Sequence, residues 1–235
     1  MGFGRYTYPL GYRQAYTVPN LYDVHLSWNQ DSCTISWEQR KLSDVTESIK
    51  NGYTYKADGS RDHAYKITRI ESISTGVINV EKLGSSDEVN KIYKLEDGDI
   101  LFSHINSLPY IGNTALYTAD LGEIYHGMNL LNIRSKHEMI DSHFLLHLLK
   151  REPTRDWFRI IAKPAVNQAS ISTTDVGSFE FLLPQMKEQK MVSSLFDNLN
   201  NLITLHRRVD FHSKGGLTNA DNDNQGERHT VLSLL

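Results

Sequence analysis

The run Ser103-His104-Ile105-Asn106-Ser107 sets hydroxyls, an imidazole and an amide side by side at the end of the hydrophobic stretch Ile100 to Phe102. Such groups both donate and accept hydrogen bonds, which reading base edges in a DNA groove requires. An ordinary surface loop has the same composition. A second polar loop, Ala165 to Ile171, carries Asn167 and Gln168, whose amides have the bidentate geometry that pairs with adenine. His104, Asn106, Ser107, Asn167 and Gln168 are therefore the candidate base-reading residues.

Two basic clusters accompany them. Lys50, Lys56, Arg61, Lys66 and Arg69 face only Asp58 and Asp62, and Lys150, Arg151, Arg155, Arg159 and Lys163 face only Glu152 and Asp156, so each cluster carries a net +3. Lys56, Arg61, Arg155 and Lys163 are taken as candidate phosphate contacts, although charge clusters of this size also cover plain solvated surface.

The sequence offers little to a catalyst. His143 and His147 have the i, i+4 spacing of metal ligands, but no carboxylate lies between them and no third ligand is evident, so no metal is expected. Ser107-Leu108-Pro109-Tyr110 superficially matches the N/D-P-P-Y/F motif with which adenine methyltransferases hold a flipped base, yet it lacks the Asn or Asp and the second proline. A glycine-rich cofactor turn after a strand is missing, as is a nuclease arrangement of carboxylates and lysine. No catalytic residue and no cofactor in this chain is the expectation; an N6-adenine methyltransferase-like enzyme is the competing class.

Bulk properties narrow the field further. A chain of 235 residues, 39% hydrophobic and 23% charged, has the balance of a soluble globular protein with one large or two small domains. Its net charge of −3 argues against coating nucleic acid through bulk positive charge. It has no apolar run of membrane-spanning length and no signal-peptide block, and its single cysteine, Cys33, precludes an internal disulfide. A cytoplasmic protein without a membrane partner is expected.

The elements that must position these groups read as follows. Leu42, Val45 and Ile49 share the face of a short helix or turn; Tyr53 to Tyr55, Tyr65 to Ile73, Val77 to Val80 and Ile100 to Ile105 read as strands punctuated by Thr75-Gly76 and Asp97-Gly98. Ile140 to Leu149 is a helix capped by Asp141-Ser142, and Trp157 and Phe158 are core anchors within the second basic cluster. Phe179, Phe181 and Leu183 alternate along a short strand that Pro184 ends. A long helix follows, with Glu188 in its first turn and Val192, Leu195, Leu199, Leu202, His206 and Val209 at alternating spacings of three and four. That is an a/d seam suited to a partner helix, although Met191, Phe196 and Ile203 widen it enough for ordinary core packing. About 25 helical residues would span roughly 40 Å, the length of a spacer.

Four segments in this order carry a family resemblance: W-E-Q-R-K-L-S-D-V at 37 to 45, I-S-T-G-V-I-N at 73 to 79, G-D-I-L-F-S-H-I-N-S-x-P-Y-I-G-N at 98 to 113, and N-Q-x-x-I running through L-P-Q-M-K-E-Q-K to L-H-R-R at 167 to 208. Together they resemble specificity subunits of type I restriction-modification systems, and they cover about residues 37 to 210. The resemblance implies an α+β chain: a mostly β target recognition domain over 37–185, then a conserved coiled-coil-type helix over 186–213. Residues 1–36 form a leader of open role, and 214–235, rich in Gly, Asn and Asp, are expected to be a disordered tail. It also implies a non-catalytic, sequence-specific DNA-binding subunit that directs methyltransferase and restriction subunits to a bipartite target, with S-adenosylmethionine held by the methyltransferase partner. Such subunits have two recognition domains and two helices; this chain has one of each, so homodimerisation through the helix is expected, and a non-functional truncated subunit is the alternative.

Overall fold

The computed structural model describes residues 37–54 and 65–206 in full and the backbone of the last helix to Lys214. The leader with Cys33, the stretch 55–64 with Lys56 and Arg61, the side chain of Val209 and the expected tail beyond Lys214 lie outside the described residues.

The chain enters through β1 (Glu38–Lys41), a one-turn 3-10 helix at Leu42–Asp44, and β2 (Thr46–Asn51). Leu42 and Val45 are fully buried, but Ile49 belongs to the strand, so the single helical face expected for these three residues is divided between a turn and an extended segment. Two short strands, β3 (Tyr65–Ile67) and β4 (Gly84–Ser86), form an antiparallel ribbon. The remainder of the expected 65–73 strand coils into a 3-10 turn at Ile70–Ile73, where Arg69 N–H donates to Ser72 Oγ at 3.0 Å and closes the turn locally. The expected strand at 77–80 is likewise replaced by a 3-10 turn at Val80–Lys82, capped by the Asn79 side chain.

The central antiparallel sheet is built from β2, β5 (Ile100–Ser103), β7 (Thr114–Leu116) and β8 (Leu130–Ser135), in the order β2-β8-β5-β7. Ile100, Leu101, Phe102, Leu130, Leu131 and Ile133 are all fully buried, because both faces of the sheet are covered. On one face Leu101 and Leu130 join Ile73, Leu95 and Ile124; on the other Phe102 and Leu131 join the helices. Those helices are α1 (Ser142–Lys150) and α2 (Glu152–Ile161). Asp141 caps α1 by accepting from Phe144 N–H at 2.9 Å, and Phe158 of α2 meets Phe102 edge-on at 4.8 Å between ring centres.

Between β5 and β7 lies β6 (Ile105–Asn106), and after α2 come β9 (Lys163–Ala165), β10 (Gln168–Ser170) and the single-turn α3 (Thr173–Gly177). Strands β6, β10 and β9 make a separate small sheet in that order. The last strand, β11 (Glu180–Leu183), pairs antiparallel with β1 and ties the end of the domain to its beginning. Pro184 then separates it from α4 (Met186–Lys214), where Glu188 accepts from Gln185 N–H at 3.0 Å at the helix start. No helix among the described residues is long and apolar enough to cross a membrane.

Glycine is required where the chain crosses itself. A Cβ on Gly52 would lie 1.9 Å from the Gly127 carbonyl oxygen, and one on Gly127 would lie 2.0 Å from that of Thr68. This crossing holds Tyr53, whose N–H donates to the His126 carbonyl at 2.9 Å, at one root of the 55–64 stretch.

Candidate nucleic-acid interface

The small sheet and its turn bring together Asn106, Lys163, Asn167 and Gln168 of the expected recognition residues. β9 and β10 form a hairpin whose turn is Val166-Asn167, with Asn167 at φ 62°, a left-handed conformation that asparagine tolerates better than most side chains. Register then decides which side chains share a face. Gln168 lies opposite Ala165 and Ser170 opposite Lys163, so Gln168 and Lys163 project from the same face, and both are exposed. Ala169, between them, is 3% exposed and points into the main core.

Asn106 pairs directly with Ala169 and therefore belongs to the inward face. Its Nδ2 donates to Ser103 Oγ at 3.1 Å and its Oδ1 accepts from Ser107 N–H at 2.8 Å. In this geometry Asn106, expected to read a base, is half-buried, and its amide shapes the loop that presents the half-buried Ser107. The expectation for His104 is the one that burial corrects. This residue is 6% exposed, and burial pushes its imidazole down to about 4, so at neutral pH it is an uncharged interior group rather than a groove contact. Strand alternation sends it inward because its neighbour Ile105 pairs outward with Ser170.

The second basic cluster is largely consumed within the protein. Arg155 Nη2 donates to Asn113 Oδ1 at 2.9 Å and to the Pro109 carbonyl at 3.4 Å, so it braces the 107–113 loop from behind instead of facing phosphate as expected. Arg159 is clamped by Glu152 and Asp156, at 2.6 and 2.7 Å, and Lys150 Nζ donates to the Gly76 carbonyl at 2.8 Å. Lys163 and Arg151 remain exposed. The first cluster cannot be followed through Lys56 and Arg61, but the roots of their segment are framed by two aromatic pairs, Tyr53 with Tyr93 and Tyr65 with Tyr125, each 5.4 Å between ring centres.

The docking of α4 inverts the usual amphipathic arrangement. Among its described side chains the buried ones are polar: Gln189 is 1% and Ser193 4% exposed. Gln189 accepts from Asp141 N–H and donates to the Met139 and Pro184 carbonyls, while Ser193 Oγ donates to Asp141 Oδ1 at 3.0 Å. Asp197 lies between His143 and His147, 3.0 and 2.8 Å from their ring nitrogens. The i, i+4 histidines thus hold a helix in place, and among the described residues no three side chains are arranged to hold a metal. Val192 packs partly against the core, but Leu195, Leu199 and Leu202 are 58%, 39% and 62% exposed, and His206 is also on the surface.

With this geometry in view, the comparisons are specific. Residues 34–210 match the family model described as the type I restriction modification DNA specificity domain. The chain belongs to this family. Over 183 residues it is 39% identical to the putative type I restriction enzyme MjaX specificity subunit of Methanocaldococcus jannaschii, an alignment covering 76% of this chain and 43% of that protein. Among solved structures, the HsdS subunit of Thermoanaerobacter tengcongensis shares the fold with a TM-score of 0.58 at 18% identity, covering 77% of this chain and 46% of the other. The type I restriction-modification S subunit from M. genitalium gives 0.51 at 17%, covering 77% and 45%. The specificity-domain chain thus spans about half the length of these relatives, and its α+β architecture, a recognition-domain fold followed by a long helix, is theirs.

Sequence reading missed the hairpin itself. It treated Ala165 to Ile171 as one polar loop, whereas Lys163–Ala165 and Gln168–Ser170 pair across a two-residue turn. The available signal was Val166-Asn167 between two short runs, weak because the turn lacks glycine. Leu108 and Tyr110, 49% and 54% exposed in the turn after Ser107, were also overlooked as surface groups of this region.

Proposed function

We propose that this specificity-domain chain is a non-catalytic DNA-reading module that directs the methyltransferase and restriction subunits of a type I system to their target. Family membership over 34–210 supports the reading, and the observation that carries it to particular residues is the exposed face on which Lys163 and Gln168 stand together beside Asn167. Lys163 meets phosphate, Gln168 and Asn167 meet base edges, and Ser107 approaches from the adjoining loop. S-adenosylmethionine belongs to the methyltransferase partner. Two copies of the chain pair through the exposed Leu195, Leu199 and Leu202 of α4, giving antiparallel helices, a two-fold dimer and an interrupted palindromic target. A single domain reads few base pairs, which is the physical reason for pairing.

The experiment is to combine the full chain with its methyltransferase subunit, map modified sites by methylation-sensitive sequencing, and measure binding of variants to the recovered site. Lys163→Ala should weaken binding to all duplexes and reduce the slope of log K against log salt by about one unit. Gln168→Ala should relax one base position at a cost of about 1–3 kcal/mol. The chain alone should neither methylate nor cut; transfer of a labelled methyl group by the pure chain would defeat the proposal.

A further inference from the structure

Val166, at the tip of the β9–β10 hairpin, is 92% exposed, more than any other large hydrophobic side chain among the described residues. A single exposed apolar residue is ordinary, so its position must supply the argument. It stands in the turn between Lys163 and Gln168, at the tip of the antiparallel β9–β10 ribbon that edges the three-stranded sheet, and a DNA major groove about 12 Å wide admits such a ribbon by its tip. The edge of that ribbon, β9, contains Pro164, which removes a backbone donor from the strand and makes it a poor template for adding another strand. The left-handed Asn167 closes the turn, and the valine beside it is left open to solvent.

The charge carried by the segments that build this sheet is one-sided. Between Trp157 and Thr174, which includes the hairpin, the only ionic residues are Arg159 and Lys163, and between Ile100 and Ala119, which includes the neighbouring strand β6, there is none. Acids make up 28 of the 235 residues, yet neither of the two segments that build this small sheet contains one. With Arg159 already paired to Glu152 and Asp156, the charge that the strands of this sheet themselves offer is Lys163, which suits an anion.

We propose that Val166 enters the major groove and reads a thymine through its C5-methyl group, with Gln168 and Asn167 on adjoining base edges. The thymine methyl is the apolar feature of the major-groove pattern, and small aliphatic side chains meet it without polar desolvation. This inference rests on the DNA-binding reading above and adds the base and the side chain that selects it.

The test uses the full chain with its methyltransferase subunit and a duplex target recovered by selection from random sequence. Each thymine is replaced in turn by deoxyuracil, which deletes only the methyl group. At one position in the half-site the replacement should weaken the parent protein about fourfold, the worth of one buried methyl group. The same replacement should leave Val166→Ala unaffected. The proposal is overturned if Val166→Ala binds every duplex as the parent does, or if each deoxyuracil costs the parent and Val166→Ala equally, as it would for a minor-groove wedge. If Val166→Ala is silent while Lys163→Ala and Gln168→Ala alter binding, the DNA-binding reading stands and the thymine contact falls. If no duplex is selected, both fall.

Discussion

Gln189 of α4 accepts the backbone N–H of Asp141 at 2.8 Å, and Asp141 is the residue that caps α1. One amide, 1% exposed, therefore joins the start of the long helix to the start of the domain's first helix, while its Nε2 satisfies the Met139 and Pro184 carbonyls. Replacing it by leucine would keep most of the volume and strand all three backbone groups. Gln189→Leu should cost about 2–4 kcal/mol in urea denaturation. An unchanged midpoint would show that the polar docking face contributes nothing to stability.

Asp99 is the interior acid that the G-D-I-L motif contributes. It is 1% exposed and receives Arg134 Nε at 2.8 Å, Arg134 Nη2 at 2.7 Å, Asn132 Nδ2 at 2.9 Å and the Glu96 N–H at 2.9 Å. The Asp99 carboxylate, as acceptor and as opposite charge, raises the already high pKa of Arg134, so the guanidinium is charged at every pH of interest. Asp99→Asn should destabilise the domain by about 2–3 kcal/mol, less than for a fully buried pair because Arg134 keeps solvent contact and Glu96. Thermal melts of both proteins at matched salt would check this.

His104 and His126 are both held uncharged by burial, each pushed down to about 4. In the unfolded chain they titrate near 6.5, so between those values the unfolded state binds more protons than the native one. Their contribution to stability is complete above pH about 6.5 and is lost as pH falls towards 4, with a maximal slope near 1.4 kcal/mol per pH unit for each histidine. Urea midpoints from pH 7.5 to 4.5 should show this fall, and a flat profile would be inconsistent with neutral buried imidazoles.

Leu199 and Leu202 are 39% and 62% exposed on α4 and lie outside the buried core cluster. Leu199→Asp with Leu202→Asp should abolish self-association in sedimentation while leaving the domain's melting temperature within about 2 °C, as expected for surface changes. A parent chain that sediments as a monomer, with and without the methyltransferase subunit, would remove the dimer.

The sequence by itself determined the family motifs, the strand ending at Pro184, the capped helix from Asp141 and the apolar seam of α4, because each is a local pattern of periodicity, capping or a helix breaker. Tertiary structure alone decided the direction of side chains along β6 and β10. A pairing register is a long-range property, and there it turns His104 and Asn106 inward while leaving Gln168 and Lys163 outward. The same holds for Arg155 and for His143 with His147: residue type showed what they could bind, but their partners, Asn113 and Asp197, lie 42 and 50 or more residues away in the chain and are brought near only by folding. A basic cluster therefore reads identically in sequence whether its cations face phosphate or are consumed within the fold, since packing of the helix against its neighbours is what separates the two.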